Sequence, residues 1–308
     1  MKWLFIIDPL EKLNKDTDTT YPIMVESYNR KIDVFAAEIN NLFFENKAKV
    51  SARKINFKQI IKVYKEKIFH LDDFDLIFMR KDPPYDLAYH YATNILSFSR
   101  KITVNSAQCL RDFNEKLIAL NFPQLGPKTI VSSNEKEVFD FIKKHNDFTV
   151  IKALDSFQGR IVEKVHFGNK NLKNTIRKFT LNGKLPVMVQ EYLPNIIKGD
   201  KRILILGGKI LGAVNRILVK GSFISNFGQG GSGHKTQITK KEKDIVKELA
   251  PFFKKNRIHF AGLDIIDGYL TEINITCPTG LQHINKLENK NLEKEVVDYF
   301  IKLIPNNA

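Results

Sequence analysis

Only two of the 308 residues are cysteines, Cys109 and Cys277, and neither lies in a CxxC or other metal-ligand spacing. A disulfide framework and a thiolate zinc site are therefore excluded, and two free thiols in a reducing, cytoplasmic setting are expected. No apolar run approaches the roughly eighteen residues that cross a membrane. The opening MKWLFIIDPL has too few apolar residues for a signal-peptide core and is broken by Asp8-Pro9, so it reads as a buried first strand. GxxxxGK[ST] does not occur, which removes the usual P-loop. No Ser-His-Asp or Cys-His arrangement stands out, and the seven histidines are dispersed. Internal repeats and low-complexity tracts are also missing.

What is present is positive charge, +15 in all. Nucleic-acid binding is one reading of such a balance. Against it, the lysines are scattered among acids, with no basic tail and no aromatic-interleaved patch. A lysine-rich solvated surface that favours small anionic substrates is the expectation, without a nucleic-acid or membrane partner.

The 43% apolar and 11% aromatic content supports two domains or one large α/β domain. Up to about residue 110, short apolar runs (WLFIID, IDVFAAE, FDLIFMR, KITVNS) alternate with amphipathic segments. These include PIMVESYNR, with Pro22 in a first helical turn, and DLAYHYATNILSFSR. That alternation predicts a parallel sheet flanked by helices. Ligands gather beyond the carboxyl ends of such strands, where Asp8 and MRKDPPYD (79–86) fall. LRDFNEKLIALNFP (110–123) reads as a helix entered through Asp112 or Asn114. Beyond Pro127, strands KTIVSS, DFTVIKAL, LPVMVQEYL and KRILILGGKILGAVNRIL surround helices EKEVFDFIKKH and KKEKDIVKELAPFFKKN. They predict an antiparallel α+β unit. The expected boundary lies near residue 120.

FAGLDIIDGYLTEINIT (260–276) carries an Asp-Gly turn between apolar β-branched runs, a hairpin signal. Asp264, Glu272 and Asn274 interrupt these core-like strands. Glu272 and Asn274 share a face, with Leu270. A two-residue turn at Asp267-Gly268 would pair Leu263 with Glu272 and send Asp264 to the other face. A functional site therefore predicts an odd, bulged turn at Gly268. The alternative is a hairpin with one wet face. Two carboxylates and an amide oxygen form a hard set suited to Mg²⁺ or Mn²⁺. Mg²⁺ is commonly shared with substrate phosphates, so the hairpin points to a nucleotide. Lys152, Lys116 and Lys201-Arg202 offer cations for its phosphates. The end of VMVQEYLP (187–194) could read a purine edge, with Asp200 near the ribose. SNFGQGGSGH (225–234) has the glycine content of a closing lid.

Taken in order, MRKDPPYD, LRDFNEKL, VIKALD, QEYLP…GDKRILIL, the glycine lid and GLDIIDGYLTEINITCPTG resemble the bacterial glutathione synthetases, which are ATP-grasp ligases. The likeness runs from Asp8 to about Thr279. It implies a Rossmann-like N-terminal domain (1–120) followed by a two-subdomain ATP-grasp fold (121–308), the small subdomain at about 127–190 and the large at about 191–308. It places Lys116 and Lys152 on ATP phosphates, Gln190, Glu191, Tyr192 and Leu193 around adenine, and Asp200 on the ribose. Asp264, Glu272 and Asn274 would hold two Mg²⁺ (or Mn²⁺). Arg202 would stabilise the transferring phosphoryl group, and Arg216, Asn226 and Arg80 would meet the peptide substrate. The implied reaction activates the carboxylate of γ-glutamylcysteine as an acyl phosphate, which glycine then attacks. A homo-oligomer is also implied.

The sequence departs from that pattern in places. Ser156-Phe157-Gln158-Gly159 replaces a glycine-rich phosphate loop, and Ala153 stands where proline is usual. Ile224 and Ser232 occupy lid positions where arginines are expected. Cys277-Pro278-Thr279 replaces Ser-Pro-Thr, and Gln282 or His283 falls where an arginine is expected. These changes keep open a ligase for another acid and amine, or a nucleotide-binding protein without ligase activity.

Overall fold

The computed structural model describes residues 1–58, 61–145, 147–155, 162–217 and 232–305. Its first part comprises β1 (Lys2–Ile6), α1 (Thr20–Asn29), β2 (Asp33–Ala37), β3 (Leu42–Glu45), β4 (Lys47–Phe57), β5 (Ile61–Val63), β6 (Lys67–His70), β7 (Leu76–Met79), α2 (Leu87–Leu96), β8 (Ile102–Val104) and α3 (Ala107–Asp112). The sheet runs β3-β4-β2-β1-β7-β8, with β5 and β6 also on β4. Strands β2, β1, β7 and β8 are mutually parallel, as the alternation predicts. β1 and β7 are apolar throughout their buried length because parallel strands are covered on both faces. The antiparallel strands over 42–70 have no counterpart in the sequence reading, although β4 alternates buried Ala48, Val50 and Ala52 with Lys47, Lys49, Ser51 and Arg53.

A four-stranded sheet follows, from β9 (Thr129–Ser132), α4 (Glu135–His145), β10 (Phe148–Ala153), β11 (Val162–His166), α5 (Leu172–Thr180) and β12 (Val187–Glu191). Its order is β11-β10-β12-β9, all antiparallel. α4 and α5 bury Val138, Ile142, Ile176 and Phe179 against one face of it. The other face is left for Lys152 and Gln190.

The last part contains β13 (Asp200–Leu206), β14 (Lys209–Ile217), β15 (Ser232–His234), α6 (Lys240–Lys255), β16 (Phe260–Ile266), β17 (Tyr269–Asn274), α7 (Leu281–Glu288) and α8 (Leu292–Leu303). Its sheet is ordered β15-β14-β13-β16-β17. β13 and β14 turn at Gly207-Gly208, whose φ values of 58° and 77° suit glycine. α6 starts with a capping box between Thr239 and Glu242 and packs Ile245, Leu249 and Phe253 under the sheet. α8 returns to the first sheet, where Phe300 meets Phe78 edge-on at 5.0 Å. Asn105, beyond β8, fastens that sheet to the last one. Its side chain donates to Phe260 O and Ile275 O and accepts from His259 N and Phe260 N.

The helix expected over 110–123 is a correction. α3 ends at Asp112, and a short 3-10 turn resumes only at Ile118–Asn121. Asn114 Oδ1 accepts from Lys116 N and Leu117 N, an Asx turn that competes with helix continuation. Asn114, Glu115 and Lys116 thereby become loop residues at the centre of the molecule. No described helix is long and apolar enough to cross a membrane.

Candidate active site

The hairpin that carries the acidic residues turns on two residues. Ile266 pairs with Tyr269, and Asp267 and Gly268 have φ of 52° and 73°, both in the left-handed region that such a turn requires. The expectation of an odd turn at Gly268 is thus overturned. The extra residue sits further along, where the register shifts between Asp264 and Ile265. Ile265 pairs with Leu270 and Asp264 with Glu272, leaving Thr271 as the bulge. Thr271 Oγ1 donates to the Asp264 carbonyl at 3.0 Å. The bulge brings Asp264, Glu272 and Asn274 to one face and turns Leu270 to the α6 core, so Leu270 does not share their face.

Asp264 is the electrostatic centre of that face. Arg202 donates to it through Nε at 2.5 Å and Nη2 at 2.9 Å. Arg216 Nη2 lies 2.9 Å from Asp264 Oδ1 and donates to Asp200 Oδ2 at 2.5 Å. Asn274 Nδ2 donates to Asp264 Oδ2 at 3.2 Å. Burial alone would raise the Asp264 carboxyl, but the two guanidinium groups outweigh it and hold it at about 2. Gly262 makes room for this packing: a Cβ there would lie 3.0 Å from Arg202 Cδ and 3.2 Å from Pro278 Cβ.

Lys152 projects from β10 and donates to Gln190 Oε1 on β12 at 2.6 Å. Burial lowers its ammonium, Glu272 acts to raise it, and Lys116, Asp200 and Asp264 are also within electrostatic reach. The two antiparallel sheets therefore face one another across a shared charged site. Lys116 Nζ stands 3.7 Å from Glu272 Oε1. Glu191 and Tyr192 spend their backbone N–H groups on Lys128 O and Phe148 O, and Leu193 begins the following turn. Lys164 lies 3.8 Å from the Tyr192 ring centroid and braces it from β11.

Arg80 reaches toward the other end of the site from β7. Its Nε donates to Thr20 Oγ1 and Nη2 to Pro278 O, both at 3.1 Å, while buried Nη1 has no partner among the described residues. Asp8 accepts from Asp82 N at 2.8 Å, joining the carboxyl ends of β1 and β7 as expected. Gln282 Nε2 is turned to Asp18 O, and Ser232 lies on β15. Asn226, Ile224 and the 156–159 loop lie outside the described residues.

Two carboxylates and an amide on one sheet face give an all-oxygen set that suits a hard divalent cation. No group of three or more His, Cys, Asp or Glu ligands occurs among the described residues. Glu115 is a residue that the sequence reading left without a role. Its side chain is buried against β17, and its place between Asn114 and Lys116 in a motif already singled out was the available signal.

Two antiparallel sheets with lysines on one and paired carboxylates on the other, behind a mixed N-terminal sheet with a parallel centre, define an ATP-grasp ligase. Solved structures of this class share the fold. A Chryseobacterium gregarium RiPP-associated ATP-grasp ligase superposes with a TM-score of 0.65 at 14% identity, covering 99% of this chain and 98% of that one. The D-cycloserine synthetase DcsG gives 0.69 at 12%, covering 98% and 100%. The sequence profile of the prokaryotic glutathione synthetase N-terminal domain matches residues 1–111, and that of its ATP-grasp domain matches residues 115–289. Glutathione synthetases of Prochlorococcus marinus subsp. pastoris and Synechocystis sp. are each 35% identical, covering 99% and 98% of this chain and 100% and 99% of their own lengths. The chain belongs to the prokaryotic glutathione synthetase family.

Proposed function

We propose that this protein is an ATP-dependent peptide ligase acting as a glutathione synthetase, joining γ-glutamylcysteine to glycine with release of ADP and phosphate. The observation that carries the reading is the face formed by Arg202, Asp264, Glu272 and Asn274 opposite Lys152, in a chain that matches this family along its length. On this reading Lys116 and Lys152 meet the ATP phosphates, with Gln190, Glu191, Tyr192 and Leu193 around adenine and Asp200 toward the ribose. Purine recognition by a backbone donor would fall to Leu193, since the two preceding N–H groups are engaged. Asp264, Glu272 and Asn274 would hold Mg²⁺ (or Mn²⁺), as two ions. A cation bound there neutralises phosphate charge, so that a carboxylate can approach the γ-phosphorus.

The chain's own groups do the rest. Asp264 is ionised at neutral pH because Arg202 and Arg216 favour its anion. Arg202 would stabilise the charge that develops on the transferring phosphoryl group, and its close hold on Asp264 fixes the guanidinium plane. Arg216, Arg80 and Asn226 are assigned to the peptide substrate. Closure over the site would keep water from an acyl phosphate. We place the division between the N-terminal and ATP-grasp domains near residue 120. Two buried free thiols accord with a cytoplasmic enzyme, and a homo-oligomer is part of the same reading.

A second reading, a ligase for another acid and amine, is favoured by Gln282 and His283, one of which falls where the family resemblance expects an arginine; the Gln282 amide is turned to Asp18. One experiment decides between them. Purified protein is given ATP, Mg²⁺, γ-glutamylcysteine and glycine, and ADP release is followed with each substrate omitted in turn. Release that requires both the dipeptide and glycine is expected. Dipeptide-independent release would remove the glutathione assignment, and no stimulation by any acid–amine pair would remove the ligase.

A further inference from the structure

Asn114-Glu115-Lys116 lies in the loop that interrupts the expected helix, and its three side chains reach three parts of the site. Asn114 Nδ2 donates to Leu154 O at 2.9 Å, two residues beyond Lys152. Lys116 approaches Glu272. Between them, Glu115 Oε1 accepts from Ile275 N at 2.6 Å, Thr276 N at 2.7 Å and Thr276 Oγ1 at 2.8 Å. The Glu115 carbonyl accepts from Ile273 N at 3.2 Å. Among the described residues β17 is the edge strand of its sheet, so peptide groups on its outer side have no described strand to pair with. Glu115 takes that place, gripping the chain immediately before and after Asn274.

This arrangement carries an internal conflict. Burial raises the Glu115 carboxyl, and the charge of Glu272 raises it further, while the three donors act in the opposite sense. An apolar residue would avoid the conflict but would leave the Ile275 and Thr276 donors just beyond β17 unpaired.

We propose that Glu115 is a positioning residue of the nucleotide–metal site, locking Glu272 and Asn274 to the same loop that carries Lys116, with Asn114 tying that loop to the Lys152 strand. The inference rests on the reading that Glu272 and Asn274 are cation ligands and that Lys116 and Lys152 meet ATP.

The test measures Mn²⁺ binding to the full chain by electron paramagnetic resonance, in the presence of a non-hydrolysable ATP analogue. Thermal unfolding and initial rates, varied separately in ATP and glycine, accompany it. Glu115→Asp withdraws the carboxylate by one methylene, whereas Glu115→Gln keeps an oxygen acceptor at the same reach. Glu115→Asp is expected to weaken Mn²⁺ binding and raise KM for ATP by about 10-fold or more, the scale of outer-shell changes at metal sites. KM for glycine should stay within about 2-fold, and Glu115→Gln within about 3-fold of wild type on every readout. Thr276→Val, which removes one of the three donors, should shift Mn²⁺ binding in the same direction by a smaller factor.

A folded Glu115→Asp protein with wild-type Mn²⁺ binding and KM for ATP overturns the proposal. If that variant does not fold, unchanged Mn²⁺ binding in Thr276→Val overturns it. A purely structural role would lower the unfolding temperature of Glu115→Asp and leave KM for ATP alone. Failure of the underlying assignment is separable: Glu272→Gln would then bind Mn²⁺ as wild type does.

Discussion

Asp264 and Glu272 stand directly opposite each other across β16 and β17, although their hairpin turns on only two residues. Simple alternation from that turn would place them on opposite faces. Thr271, bulged from the ladder and bonded to the Asp264 carbonyl, restores them to one.

If that shared face holds a cation, Glu272→Gln replaces a charged ligand by an isosteric neutral one. Turnover should fall by more than about 100-fold, beyond the range of outer-shell changes. The unfolding temperature should stay near wild type, because Glu272 is only half-buried. ADP release and thermal unfolding check the two halves of this statement. Near-normal turnover would sink the cation assignment.

Acid should strip stability from the Asp264 cluster at an unusually low pH. The carboxyl titrates at about 2 in the folded chain, against an ordinary 3.8, so its contribution is present above the unfolded value and disappears as pH falls from about 4 to about 2. The loss is about 2 kcal/mol. Arg216→Met should cost about 3–5 kcal/mol at neutral pH, since it leaves Asp200 and Asp264 buried with less counter-charge. Urea unfolding followed across pH measures both effects.

Lys152 should give ATP binding an alkaline limb. Burial lowers its ammonium below the ordinary 10.5, so the cation that meets phosphate is lost at lower pH than in a free lysine. KM for ATP should therefore rise with pH earlier than the titration of a free lysine would make it. Lys152→Gln should raise KM by about 10-fold or more at neutral pH, the worth of a hydrogen bond to a charged group, and should flatten that limb. A Lys152→Gln profile that keeps the wild-type limb would assign it elsewhere.

Asn105→Ala removes four hydrogen bonds from the turn after β8 to His259, Phe260 and Ile275 at the end of the β16–β17 hairpin, and leaves buried backbone groups unpaired. A loss of about 2–4 kcal/mol in unfolding free energy is expected. Denaturant unfolding monitored by circular dichroism gives the value, and a loss under about 0.5 kcal/mol would show that water replaces the amide at no cost.

Much of the fold was legible from apolar periodicity. WLFIID, FDLIFMR and VMVQEYL are strands because continuous β-branched and aromatic runs of that length bury on both faces, and Gly207-Gly208 marks a real turn. The strands over 42–70 escaped notice because β4, although it alternates, buries two alanines, Ala48 and Ala52, among lysines, and so shows no apolar run. The helix over 110–123 was misread because Asn114 can bond its own backbone, a choice that periodicity does not register. At the site, Asp264, Glu272, Asn274, Lys152 and Arg202 could be picked out as polar groups in apolar strands or as motif residues.

The sequence by itself determined which side chains are chemically conspicuous and that an Asp-Gly turn joins their strands. Local composition suffices for that, because turn chemistry and strand burial are short-range properties. Only the tertiary structure decided that the carboxylates share a face. The register of β17 depends on where one residue is bulged. That position follows from packing Leu270 into the α6 core and from Glu115 gripping the chain around Asn274, contacts between residues far apart in sequence.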